Sequence, residues 1–213
     1  MFRELQRQVS DALAHEAATG ELAAYAMGVF GDMCGNDPSR GTQIETKTEL
    51  AVAFIRQYVQ ATPLLLEAIE SAAEAANVKH DLLPVLTAAE DYFLQSVDFI
   101  PDHLGLAGVI DDAYLAQSLL QVLSDSHKGC CGEALIPFDL APANALIRRM
   151  IGEPTATSLD AAVQEALGLP DVQTARESLA RKVKALRLAG APAFPALAID
   201  DDMNLQLGAL GNA

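Results

Sequence analysis

The residues best suited to chemistry form an acidic run around one proline. Asp98 precedes Ile100-Pro101-Asp102, and the pair Asp111 and Asp112 follows a short distance later. Carboxylates held close together repel one another, so such a cluster needs protonation, a basic partner or a metal ion. Basic residues are nearly absent nearby, which leaves Mg²⁺, Mn²⁺ or Ca²⁺ as candidates, because these cations prefer oxygen ligands. The candidate metal ligands are Asp98, Asp102, His103, Asp111 and Asp112.

The same aspartates have a structural interpretation. Pro101 cannot continue a helix comfortably, so the chain is expected to turn there. Aspartates near the start of the next helix can accept its unpaired amides and are favoured by the helix dipole. Gly105 and Gly108 would permit a close approach of the backbone in this turn. The sequence therefore leaves open a structural corner and a cation site.

This run resembles the signature of the YkvA-like family, a bacterial helical domain of unknown function. The similarity consists of a D-x-I-P-D turn followed by a glycine and paired aspartates, and it covers about residues 92–125. The family often has an apolar or aromatic residue where this chain has His103, and a proline where it has Gly105. The resemblance implies an α-helical domain without an established activity, with some membrane-associated relatives.

The pair His80-Asp81 invites comparison with metal phosphohydrolases. It could act with His15 and one of Asp98, Asp102 or Asp111, so that metal-bound water would be the nucleophile. Capping of a helix by Asp81 explains the same pair equally well. His127, Cys130 and Cys131 lack a fourth ligand for zinc, and structural thiols are the expected interpretation of the cysteines.

The charge distribution restricts the possible partners. The net charge is −15, which disfavours nucleic acid and anionic lipid. Residues 91–140 carry 1 basic and 8 acidic side chains, so a divalent cation or a basic partner would be drawn to this region. Three cysteines and the absence of an N-terminal apolar run favour a cytoplasmic location, and no apolar run is long enough to span a membrane.

Apolar residues recur at helical spacing along most of the chain, which predicts an all-α fold. We expect a single domain of about eight or nine helices over 1–190, followed by an extended or flexible tail at 191–213. Gly20 and Asn77 should end helices, Pro63 should begin a new one, and Asp81 should cap the next. The segment 108–126, after the Ile-Pro-Asp turn, is apolar on nearly every face and predicts a central buried helix.

The helix predicted at 171–188 is basic. Its charged face should be solvated and paired internally, for example Glu177 with Arg181, or should dock on the acidic middle third of the same or a second molecule. The function favoured by these patterns is a helical binding protein with a protein partner or self-association. A metal-dependent hydrolase using the same carboxylates and a peripheral membrane protein are the alternatives.

Overall fold

The computed structural model describes residues 2–34, 41–94, 100, 102–132, 134–136 and 139–188, with side chains omitted at 29–34, 41–47, 102–103, 130–131 and 186–187. Within these ranges the chain is helical and contains no strand, so the all-α prediction is confirmed. A 3₁₀ segment, Asp102–Ala107, precedes α5. The α-helices are α1 Arg3–Thr19, α2 Glu21–Cys34, α3 Gly41–Ala75, α4 Lys79–Leu94, α5 Ile110–Cys131, α6 Ala141–Ile151, α7 Thr155–Gly168 and α8 Pro170–Leu188.

The predicted central helix is α5. Every residue from 105 to 117 is buried, and α5 packs against α3, α4, α6, α7 and α8. The helix begins at Ile110 and continues to Cys131, so it starts slightly later and ends later than its sequence pattern predicted. Buried apolar side chains from all eight helices form one core around it.

Two predicted helix ends are confirmed. Gly20 adopts a left-handed conformation with φ of 69° after α1, and its amide donates to the Glu16 carbonyl. Asn77 has φ of 55°, and the next amide, that of Val78, donates to the Ala73 carbonyl over 2.8 Å. Both arrangements satisfy carbonyls that the last helical turn leaves without a partner.

The prediction that Pro63 begins a new helix is wrong, because α3 runs through it without a break. A proline inside a helix removes one backbone donor from the preceding turn. The carbonyl that loses its donor is that of Val59, four residues before Pro63. In the same turn, Gln117 Nε2 donates to the Tyr58 carbonyl over 2.8 Å, and the Thr62 hydroxyl donates to that carbonyl over 3.3 Å. These contacts tie the proline-containing turn to α5, but they do not replace the donor that Val59 loses.

The prediction that Asp81 caps a helix is also wrong. α4 already begins at Lys79, and the buried Asp81 carboxylate accepts from Ser178 Oγ over 2.6 Å and from Lys182 Nζ over 2.5 Å. Burial alone would raise the pKa of Asp81, but these two hydrogen bonds, together with the nearby charges of Lys182 and His80, outweigh burial and lower its pKa below the ordinary value. Asp81 thus joins the start of α4 to α8.

The basic helix α8 docks on its own molecule, against α4 and α5. Lys182 reaches Asp81 on α4, and Arg176 reaches Ser126 on α5. The expected pairing of Glu177 with Arg181 is not formed, since Arg181 Nε donates to the Glu177 backbone carbonyl at 3.4 Å instead. α8 therefore contacts the same molecule, but its ion pair is with Asp81, outside the acidic middle third, and docking on a second molecule stays a prediction.

Candidate functional site

The acidic corner is built around Asp111, in the first turn of α5. Asp111 is only 1% exposed, and its Oδ2 accepts a hydrogen bond from the Ile100 amide over 3.0 Å. Ile100 directly precedes Pro101, so this hydrogen bond ties the chain before the proline to the start of α5. A carboxylate that accepts a backbone amide at a helix start is favoured both by the hydrogen bond and by the helix dipole.

The corner also includes Asp112 and α2. Asp112 is 8% exposed and lies in the same first turn of α5. On α2, burial and then the Asp111 charge raise the pKa of Tyr25. The Tyr25 hydroxyl donates to the Met150 carbonyl over 3.1 Å. Asp111 and Asp112 are therefore both largely withdrawn from solvent.

The other predicted ligands are described only in part. Asp102 and His103 lie at the start of the 3₁₀ segment, and their side chains are outside the described set. Asp98 and Pro101 are outside the described residues altogether. The convergence of all five predicted ligands therefore stays a prediction.

The turn before α5 is shaped by Gly105. Its φ of 61° and ψ of −127° lie in a region that other residues rarely adopt. A Cβ atom at this position would lie 2.5 Å from His15 Cδ2 on α1. Proline fixes φ near −65°, so a proline at position 105 could not adopt this backbone conformation.

The phosphohydrolase constellation is not assembled from the described side chains. His15 Nε2 lies 3.0 Å from Glu21 Oε2, His80 is exposed, and the Asp81 carboxylate is paired with Lys182. Among the side chains that the structure describes, no three His, Cys, Asp or Glu residues are grouped so that they could hold a metal ion.

Sequence reasoning missed a cleft of about 370 Å³ between α5 and α8. Neither Asp111 nor Asp112 lines it; its polar lining includes Ser126, His127 and Arg176. The basic, amphipathic pattern of α8 was the available signal, but helical spacing alone does not show which basic residue turns towards another helix.

A network of polar side chains was also missed. The Tyr114 hydroxyl of α5 donates to Asp160 Oδ1 of α7 over 2.6 Å, and Arg148 Nε of α6 donates to Asp160 Oδ2 over 2.8 Å. Arg148 also donates to Glu153 Oε1 over 2.8 Å. Tyr114 lies 46 residues before Asp160, and Arg148, Glu153 and Asp160 lie on different helices or the turn between them, so their spacing gave no sign that they would meet.

No protein-family model, curated protein or solved structure matches the chain. The likeness to the YkvA-like family consequently stays a prediction based on the run around Pro101. Among the helices described, none is both long enough and apolar enough to cross a bilayer.

Proposed function

We propose that this is a helical binding protein in which the aspartate corner is a structural centre. The observation that carries the proposal is the burial of Asp111, together with the hydrogen bond that it accepts from Ile100 over 3.0 Å. A general acid, a base or a nucleophile must meet its substrate. A carboxylate 1% exposed and engaged with the backbone is better suited to holding the bend between two helices.

The alternative for the corner is a divalent cation. Such an ion takes several oxygen ligands, so Asp111 and Asp112 would need help from Asp98, Asp102 or His103. A bound ion would also be the Lewis acid that a hydrolase requires. Stability measurements distinguish these possibilities, because a ligand that binds only the folded state raises the unfolding temperature.

The test compares Asp111→Asn with Asp125→Asn, an exposed aspartate on the same helix. Asparagine keeps the shape of the side chain but removes the charge, so Asp111→Asn should lower the free energy of unfolding by about 1–3 kcal/mol, whereas the Asp125 variant should stay within about 0.5 kcal/mol of the parent. Thermal unfolding would be followed in EDTA, Mg²⁺ and Mn²⁺. The proposal predicts the same loss in all three conditions.

The proposal is wrong if Mg²⁺ or Mn²⁺ raises the unfolding temperature of the parent and of Asp125→Asn but not that of Asp111→Asn. Metal-dependent hydrolysis of a phosphoester by the parent, abolished in Asp111→Asn, would equally overturn it.

The proposed partner is a protein or a second copy of the chain. Sedimentation velocity over a range of protein concentrations tests self-association directly. Mass action requires the sedimentation coefficient to rise with concentration when copies associate. A coefficient that stays at the monomer value at all concentrations would exclude the second copy as the partner.

A further inference from the structure

The cleft between α5 and α8 has an apolar wall. Leu123 on α5 and Leu179 on α8 are buried, and Ala180 is half-buried beside them. Its volume of about 370 Å³ falls in the range of pockets that hold small molecules. Such pockets combine apolar walls with a few placed polar groups that orient the ligand.

Arg176 is the charged group of this cleft. Its Nη2 donates to Ser126 Oγ over 2.7 Å, and the Ser126 hydroxyl in turn donates to the Val122 carbonyl over 2.8 Å. The serine proton is thereby directed to the helix backbone, and its oxygen is left to accept from the guanidinium. Arg176 is therefore held in place by a neighbouring helix before any ligand arrives.

A second nitrogen of Arg176 lacks a partner. Nε is buried and has no hydrogen-bond acceptor among the described residues. Leaving a buried donor without an acceptor is unfavourable, and more so when the group is charged. Nε and Nη2 form one edge of the planar guanidinium, and this edge matches the two oxygens of a carboxylate.

We propose that this cleft binds a small organic carboxylate with an apolar body, anchored on Arg176. The inference rests on the proposed binding function and supplies a ligand class for it. The apolar walls would contact the body of the ligand, and its carboxylate would pair with the guanidinium of the half-buried Arg176, whose Nε must turn towards the cleft to donate. Exposed Glu177 also lines the cleft, and its charge disfavours ligands that carry several negative charges.

Isothermal titration with hexanoate tests the proposal, with hexanamide and inorganic phosphate as comparison probes. Hexanoate should bind with one-to-one stoichiometry. Hexanamide and phosphate should each bind at least roughly tenfold more weakly, because the first lacks the charge and the second lacks the apolar body.

The matched variants are Arg176→Gln and Arg181→Gln, which remove the same charge from the same helix. Arg181 is exposed and is not among the residues that line the cleft. Arg176→Gln should weaken hexanoate binding at least roughly tenfold, whereas Arg181→Gln should change it by less than about twofold. Gln173→Glu, at an exposed position of the cleft lining, should also weaken binding while leaving the fold intact.

The inference is overturned if hexanoate does not bind, if Arg176→Gln and Gln173→Glu bind it as the parent does, or if phosphate binds as tightly as hexanoate. These failures are distinguishable from failure of the proposed function. If hexanoate fails but the Asp111 variant loses the same stability with and without metal, the structural corner stands and only the ligand class is wrong. If the Asp111 test shows a metal site, the proposed function fails whatever the cleft binds.

Discussion

Replacement of Gly105 by alanine tests how the corner is built. The residue combines a backbone conformation that favours glycine, with φ of 61° and ψ of −127°, and a close approach to His15. An added Cβ would lie 2.5 Å from His15 Cδ2 but 3.5 Å from His15 Cβ. The imidazole ring must therefore move, whereas the backbone of α1 need not.

The expected loss has two parts. The backbone conformation costs an alanine about 1–3 kcal/mol. Displacing the ring separates His15 Nε2 from Glu21 Oε2, now 3.0 Å apart, and because this contact is exposed it adds only about 0.2–1 kcal/mol. The total for Gly105→Ala is about 1–4 kcal/mol, enough to lower the unfolding temperature by several degrees.

Urea denaturation of the parent, Gly105→Ala, His15→Ala and the double variant separates the two parts. In the His15→Ala background the clash is absent, so Gly105→Ala should show the backbone part alone. Gly20→Ala is the matched control, because Gly20 also has a positive φ, 69°, but nothing within 4 Å of an added Cβ. Its loss should be about 1 kcal/mol.

Two results would refute this reasoning. If Gly105→Ala costs no more than Gly20→Ala, neither the unusual ψ nor the contact with α1 constrains the turn. If its cost is unchanged in the His15→Ala background, the histidine does not limit the space at Gly105.

Three further predictions concern buried polar groups. Gln117→Leu removes the side-chain donor to the proline-containing turn of α3, so urea denaturation should show a loss of about 1–3 kcal/mol; an unchanged midpoint would contradict this role. Burial and the Asp160 hydrogen bond raise the pKa of Tyr114 to about 12. The neutral phenol therefore contributes stability below pH 10, its unfolded value, that is lost as the pH rises towards 12. Tyr114→Phe should remove this dependence from the alkaline unfolding profile. Lys182→Gln removes a hydrogen bond that lowers the pKa of Asp81. This hydrogen bond stabilises the folded protein above pH 3.8, the unfolded pKa of Asp81, and the stabilisation is lost as the pH falls through the lower folded pKa. The stability difference between parent and variant should therefore narrow below pH 3.8 in acid unfolding, and a constant difference would show that the ion pair is not its source.

The fold was predictable where a local rule decides the outcome. The apolar repeat of α5 predicted its burial because a helix that is apolar on nearly every face must be surrounded. Asn77 ended α3 because asparagine tolerates a left-handed conformation. Pro63 was misassigned because a proline also occurs inside a helix whose turns are held by packing, and this turn of α3 is tied to α5 by the Gln117 hydrogen bond to the Tyr58 carbonyl. Propensity cannot include such a tertiary contact, and here it overrides the local preference.

The candidate site could likewise be predicted from the sequence only where a local rule applies. The sequence marks Asp111 as a candidate because neighbouring acids repel one another. The role of a carboxylate, however, depends on which donor comes within about 3 Å of it. For Asp111 that donor is the amide of Ile100, eleven residues earlier and across a bend. For Asp81 it is Lys182, 101 residues later, and the pairing turns an apparent metal ligand into a link between two helices. Arg176 Nε differs from these carboxylates, because it has no acceptor among the described residues. A ligand could supply that acceptor. Possible function in this chain is therefore best sought where the fold leaves a buried polar group unsatisfied beside open space, not where the sequence concentrates charge.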